Sequence, residues 1–196
     1  LLDNLPAAQK TGAGYTRVIV ALGPPRVMPY VQSLLSYGIF DWCITDNDVS
    51  MVFNVFSQLG AAEQNQLILR LHQTQYLGRL ASNANSSHHT NNIMPWLTSL
   101  PVGDNLSAVQ KDIVRSIFDN TGDSHVNTLQ QCVATRFDLQ VGALFNIPSF
   151  GGTPIPWEAG GLRRAYPVLE SLPVAHVARN AELLQLGRYQ VNDGQE

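Results

Sequence analysis

Hydrophobic positions recur along this chain at helical spacing, in short segments punctuated by capping and turn residues. Val27, Tyr30, Val31, Leu34 and Leu35 mark one apolar face and predict a helix from Pro24 to Tyr37. Pro24 and Pro25 fit its first turn, where a missing N–H costs nothing, and Gly38 is the expected stop. Thr45-Asp46-Asn47-Asp48 signals the next start, with Thr45 as N-cap and the acids at the positive end of the helix dipole. Val49, Val52, Phe53 and Phe56 then line one face as far as Gly60. A third helix over Ala62–His72 turns Leu67, Ile68 and Leu71 inward, and a shorter one follows over Thr74–Ser82. Thr16–Leu22 is the exception, an apolar run that reads as a strand, with Gly12-Ala13-Gly14 ahead of it as a flexible turn.

The second half repeats the manner. Asn83–Asn92 is a run of Asn, Ser, His and Thr that reads as an exposed loop. Asp104-Asn105-Leu106-Ser107 offers caps for a helix through Ile117 with Val109, Ile113, Val114 and Ile117 as its stripe. Thr121–Ser124 interrupts, and Asp123 or Ser124 caps a helix that carries Val126, Leu129, Cys132 and Val133 to Phe137. Residues 142–161 are rich in Gly and Pro yet hold Phe145, Ile147, Phe150, Ile155 and Trp157, the mark of a packed irregular segment. Leu162–Ser171 and Ala175–Leu186 predict two last helices, before a polar, frayed tail over Val191–Glu196.

The expected fold is therefore all-α, built of tandem multi-helix bundle repeats with an irregular apolar segment. Residues 1–82 form the first unit, 83–106 a polar loop, 107–141 a degenerate second unit, and 142–196 the irregular segment with terminal helices. The repeat rests on Ile39-Phe40-Asp41, which recurs as Ile117-Phe118-Asp119 at an offset of 78 residues and in both places precedes a turn and a new amphipathic helix. The same shift sets Met51–Leu59 on Leu129–Phe137.

Composition narrows the classes. Among 196 residues 44% are hydrophobic and 14% charged, with 12 basic groups against 15 acidic ones for a net charge of −3. Such a chain can bury a sizeable core, which argues against disorder and against a disulfide-stapled miniature fold. The absence of a basic excess argues against nucleic acid as a partner. No apolar run approaches the roughly 20 residues of a membrane helix, so a membrane partner is not expected. Leu1–Pro6 shows no signal-peptide pattern, and the chain reads as a piece of something longer. Cys43 and Cys132 read as small core residues, with a disulfide between them the less favoured alternative.

The stretch Gly38-Ile39-Phe40-Asp41-Trp42-Cys43-Ile44-Thr45-Asp46, followed by a helix and by Gln75-Tyr76-Leu77-Gly78-Arg79-Leu80, resembles a helical repeat of large bacterial proteins associated with extracellular contractile injection systems and polymorphic toxins. The segment from Tyr166 to Val177 is similar to a region that precedes a metallopeptidase-like domain in such proteins. The resemblance implies a secreted or injection-delivered parent protein, with any peptidase centre beyond Glu196. The helix, Gly-containing turn, Thr-Asp cap and helix are also similar to annexin repeats, which implies a calcium and lipid site. Against that site, no Asp or Glu lies between Glu63 and Asp104, whereas calcium needs carboxylate oxygens.

Candidate chemistry is sparse. There is no His-Glu-x-x-His for zinc and no Gly-x-Ser-x-Gly for a nucleophile, so no catalytic residue, cofactor site or metal ligand is assigned. His88 and His89 read as an exposed polar pair, His72 as a cation at a helix C-terminus, His125 as a capping residue, and His176 as semi-buried and hydrogen-bonded. Asp46 and Asp48 are explained as capping acids, and Asp41, recurring as Asp119, as a structural turn acceptor. Trp42, Trp96 and Trp157 sit beside turns, and together with Phe150 they are the candidate interaction surface, because aromatic side chains concentrate at binding hot spots. The functional expectation is a non-catalytic structural and interaction module of a secreted or injection-system-associated bacterial protein. Its expected partners are other domains of a parent chain or a separate protein. The alternatives are the leading part of a toxin metallopeptidase and an annexin-like calcium or lipid binder.

Overall fold

The computed structural model describes residues 10, 12–37, 43–142, 152–177, 185–187 and 189–191. They form an all-α fold in two compact units, Leu1–Asn92 and Ile93–Glu196.

In the first unit α1 (Ala13–Ala21) and α2 (Pro24–Leu34) both pack on α3 (Asp46–Gln58), and α4 (Ala61–Gln73) runs into α5 (Tyr76–Asn83). Gln75 adopts a left-handed conformation (φ 65°) between the last two, which reverses the chain without a glycine. Val31, Leu35, Val49, Val52, Val55 and Leu71 are fully buried at the centre. The start of α3 carries the expected cap. Asp48 N donates to Thr45 Oγ1 at 3.2 Å, and Thr45 N donates back to Asp48 Oδ2 at 2.9 Å, so two otherwise orphaned donors are satisfied reciprocally. Ahead of α4 the Glu63 carboxylate accepts from the Gly60 N–H at 3.0 Å, a one-way cap because Gly60 has no side chain to return the bond.

Thr16–Leu22, expected as a strand, lies mostly in α1. Its β-branched residues favour extended backbone only weakly, and burial of Thr16 and Ile19 in the contact with α2 and α3 overrides them. Gly12 does act as the turn before it, with φ 110°, and its carbonyl accepts from the Thr16 hydroxyl at 3.2 Å.

A short α6 (Ser86–His88) and a π-turn (His89–Ile93) carry the chain across the boundary into α7 (Met94–Ser99) of the second unit. The expected polar loop at 83–106 is thus helical over much of its length. Asn85 is the N-cap of α6, and His88, His89, Ile93 and Leu97 in this stretch are buried.

The second unit continues through a 3₁₀ turn (Gly103–Asn105), α8 (Ala108–Asn120), a second 3₁₀ turn (Asp123–His125) and α9 (Val126–Phe137). Ser107 caps α8 as its sequence predicts, exchanging hydrogen bonds with Gln110. Further on lie β1 (Gln140–Gly142), β2 (Gly152–Pro154), α10 (Ala159–Ser171), α11 (Val174–Val177), β3 (Gln185–Gly187) and β4 (Tyr189–Val191). β1 pairs with β3 in parallel, Gln140 opposite Gln185, and β2 pairs with β4 antiparallel, Gly152 opposite Val191. α10 packs on α8 and α9, with the Phe118 and Tyr166 rings stacked at 4.1 Å and Phe137 at 6.0 Å from Tyr166.

Three further expectations change. The segment 142–161 contributes β2 and the first turn of α10, begun by buried Ala159. The helix expected over Ala175–Leu186 is confined to Val174–Val177 where it is described, and its far end, Gln185 and Leu186, lies in β3. The 78-residue shift superposes α3 on α9 but sets residues 62–64 of helical α4 on Gln140–Gly142, which are strand, so the correspondence does not continue. Ile117 and Phe118 are buried inside α8, whereas their counterparts Ile39 and Phe40 lie outside the described residues.

Candidate functional site

Two polar clusters stand out, one in each unit. In the second, Arg136 falls on the buried stripe of α9 set by Leu129, Cys132, Val133 and Phe137. Glu170 falls on the buried face of α10, one turn after Tyr166. The two meet as an ion pair with Nη2 to Oε1 at 2.5 Å, their side chains 0% and 3% exposed. Arg136 Nε also donates to Oε1, at 3.1 Å. The remaining guanidinium donors reach main-chain carbonyls: Leu97 and, at 3.4 Å, Leu100 from Nη1, and Pro101 at 2.9 Å from Nη2. Leu97 lies in the last turn of α7 and Leu100 is its C-cap, so the cation satisfies carbonyls that the helix end leaves orphaned and sits at its negative pole.

Glu170 is equally committed. The Tyr166 hydroxyl donates to Oε1, and the Gly103 N–H donates to Oε2 at 2.9 Å. Gly103 is required there: its φ is +62°, and a Cβ would stand 2.7 Å from the Leu172 carbonyl oxygen. Burial pushes the Tyr166 phenol well above its usual value, and burial likewise pushes the Cys132 thiol up to about 12. Neither group is a nucleophile or acid at neutral pH. Close by, a recess of about 270 Å³ between α8 and α10 is lined by Lys111, Asp112, Arg115 and Pro167 around Tyr166 and Glu170.

The cluster in the first unit pairs a serine with a histidine. Ser50 lies on the solvent side of α3, and His88 is the third residue of α6, buried except for 8% of its surface. Asn85 Oδ1 accepts from the His88 N–H at 3.0 Å, and the Asn85 N–H donates to His88 Nδ1 at 3.3 Å. An Nδ1 that accepts carries no proton, so the neutral ring bears its hydrogen on Nε2 and donates it to Ser50 Oγ at 2.8 Å. A catalytic serine needs the opposite polarity, with the imidazole accepting the hydroxyl proton. The pair has the spacing of a nucleophile and base and the wrong tautomer. Burial holds the His88 pKa below the ordinary 6.5, against the opposing field of Asp46.

The remaining polar contacts of the first unit are of the same kind. The Arg79 guanidinium stacks over the rings of Tyr76 at 4.9 Å and Tyr37 at 5.4 Å and donates to the Leu35 carbonyl at 3.2 Å. Asp46 and Asp48 occupy the first turn of α3, as their capping reading predicts.

Of the expected interaction residues, Trp96 on α7 and Trp157 ahead of α10 are half-buried. The Trp157 indole N–H donates to the Leu186 carbonyl of β3 at 3.4 Å. Trp42 and Phe150 lie outside the described residues, as do Gly38, Phe40 and Asp41. Exposed apolar side chains missing from the expected surface are Val18, Leu22 and Tyr37 in the first unit and, in the second, Val168 on α10 (60% exposed) and Val109 on α8 (49%), the last expected on the inward stripe of its helix. No family model, curated protein or solved structure matches this chain.

Four expectations about single residues are corrected. His88 and His89 are buried, held by the helical path of a segment whose composition suggests a loop. His176 is exposed on α11, which meets the Gly103–Asn105 turn through its first residue, Val174. His125 precedes α9 without a side-chain cap bond, its place being the end of a 3₁₀ turn. Cys43 is an exposed free thiol, and only Cys132 is a core residue. Among the described residues no group of three or more His, Cys, Asp and Glu is placed to hold a metal ion, and no helix is long and apolar enough to cross a membrane.

Proposed function

We propose that this chain is a helical structural and interaction module whose polar groups serve the fold and not bond chemistry. Following the resemblance of the Gly38–Asp46 stretch, the module belongs to a secreted or injection-system-associated bacterial protein and docks to other domains of that protein or to a partner. The observation that carries the reading is the commitment of Arg136 and Glu170. Among the described residues the most deeply buried charged pair spends its donors and acceptors on three backbone carbonyls, a backbone N–H and Tyr166. An active-site carboxylate has lone pairs to offer a substrate, whereas Glu170 is held on both oxygens.

Val109 and Val168, together with half-buried Trp96 and Trp157, support a docking role in the second unit. Sedimentation equilibrium with hydrophobic-dye binding tests that role. The module is expected to self-associate or bind dye, and Val168→Asp is expected to reduce both. A monomer that binds no dye would overturn the docking part of the reading.

A further inference from the structure

We propose that the Asn85–His88 cap, seated on Ser50 of α3, is a pH-operated latch within the first unit. Three bonds meet at this residue: its N–H to Asn85 Oδ1, its Nδ1 from the Asn85 N–H, and its Nε2–H to Ser50 Oγ. The ring also lies against Phe53, centroids 5.5 Å apart. A proton added at Nδ1 turns an acceptor into a donor that faces the Asn85 N–H. The N-terminal bond of α6 is then replaced by a clash of two donors, and the charge sits in a largely buried ring.

Other groups work in both directions. α3, the element packed against α6, brings Asp46, whose charge favours the imidazolium, and Asp48, which is held at the helix start by Thr45. The Phe53 face also favours a cation. His89, the neighbour in the chain, is a second titratable group and is buried. Loss of solvent outweighs Asp46, so the neutral form is the one that closes the latch. The bond lost on protonation is the one inside the cap, from the Asn85 N–H to Nδ1, whereas Nε2–H still donates to Ser50 Oγ; because α6 is a single turn, that loss opens its N-terminal end locally without unfolding the helical core.

The sign follows from linkage. The closed latch binds its proton more weakly than the open one, so closure is complete above about pH 6.5 and is lost as pH falls through the lower value of the closed state. One proton changes the opening equilibrium by at most about tenfold per pH unit in that window.

The test is amide hydrogen exchange at Asn85, Ser86 and His88, corrected for intrinsic exchange, between pH 7.5 and 4.5. Wild-type protein is expected to show an opening step of up to about tenfold per unit that levels off at low pH, and His88→Gln is expected to lack it. The same step in His88→Gln, or none in the wild type, would overturn the proposal. If the variant does not fold, long-range ¹H–¹⁵N spectra of the wild type at pH 7.5 decide. A proton on Nε2 is expected, and a proton on Nδ1 would overturn the latch.

Discussion

The two polar clusters solve one problem at different depths. Arg136 and Glu170 are charged and desolvated, and they are held by backbone groups at the end of α7 and in the Gly103 turn together with the Tyr166 hydroxyl. Ser50 and His88 are neutral and lie at the edge of their unit, with the serine exposed to solvent. Buried charge costs several kcal/mol per ion unless it is fully paired, so the first cluster is all-or-none, whereas the second can lose a bond and give way locally. In the second unit polar chemistry builds the core. In the first it closes a small flap.

That contrast breaks most directly at Glu170. Glu170→Ala strands the Arg136 guanidinium and the Gly103 N–H, and is expected to cost about 3–5 kcal/mol in urea unfolding of the second unit. Phe118→Ala removes the ring stacked on Tyr166 and is expected to cost about 3–5 kcal/mol, which sets the apolar core on the same scale. Gly103→Ala forces a side chain into φ +62° against the Leu172 carbonyl, with an expected loss of about 1–3 kcal/mol in the same measurement. In the first unit Thr45→Ala removes one half of a solvent-facing capping box and is expected to cost about 1 kcal/mol by thermal unfolding. Arg164→Ala touches only an exposed 3.8 Å pair with Glu158, and is expected to stay within about 0.5 kcal/mol of wild type. An Arg164 effect as large as that of Glu170 would erase the distinction by depth.

The helices are legible where an amphipathic stripe meets a cap. Thr45 and Ser107 announce α3 and α8 because a hydroxyl before an apolar face has one good use. α1 reads as a strand because Thr, Val and Ile favour extended backbone when considered alone, and only burial against α3 makes them helical. The 83–106 stretch misleads for the converse reason: Asn and Ser composition looks like loop, and the burial of His88 and His89 depends on a fold that no local pattern encodes. The clusters themselves escape a reading of the sequence. Arg136 and Glu170 each sit in register with an apolar stripe, and that is the one signal by which a buried charge on a helix could be noticed. Their pairing over 34 residues and the tautomer of His88 are tertiary facts.

The central claim is that the buried pair exists for the fold. A double-mutant cycle on Arg136 and Glu170, read by urea unfolding through Trp96 and Trp157 of the second unit, tests it most directly. Arg136→Met and Glu170→Leu are each expected to cost about 3–5 kcal/mol, and the double variant less than either, since it strands no charge. Single variants within about 0.5 kcal/mol of wild type, or a double variant equal to the sum of the singles, would contradict the account.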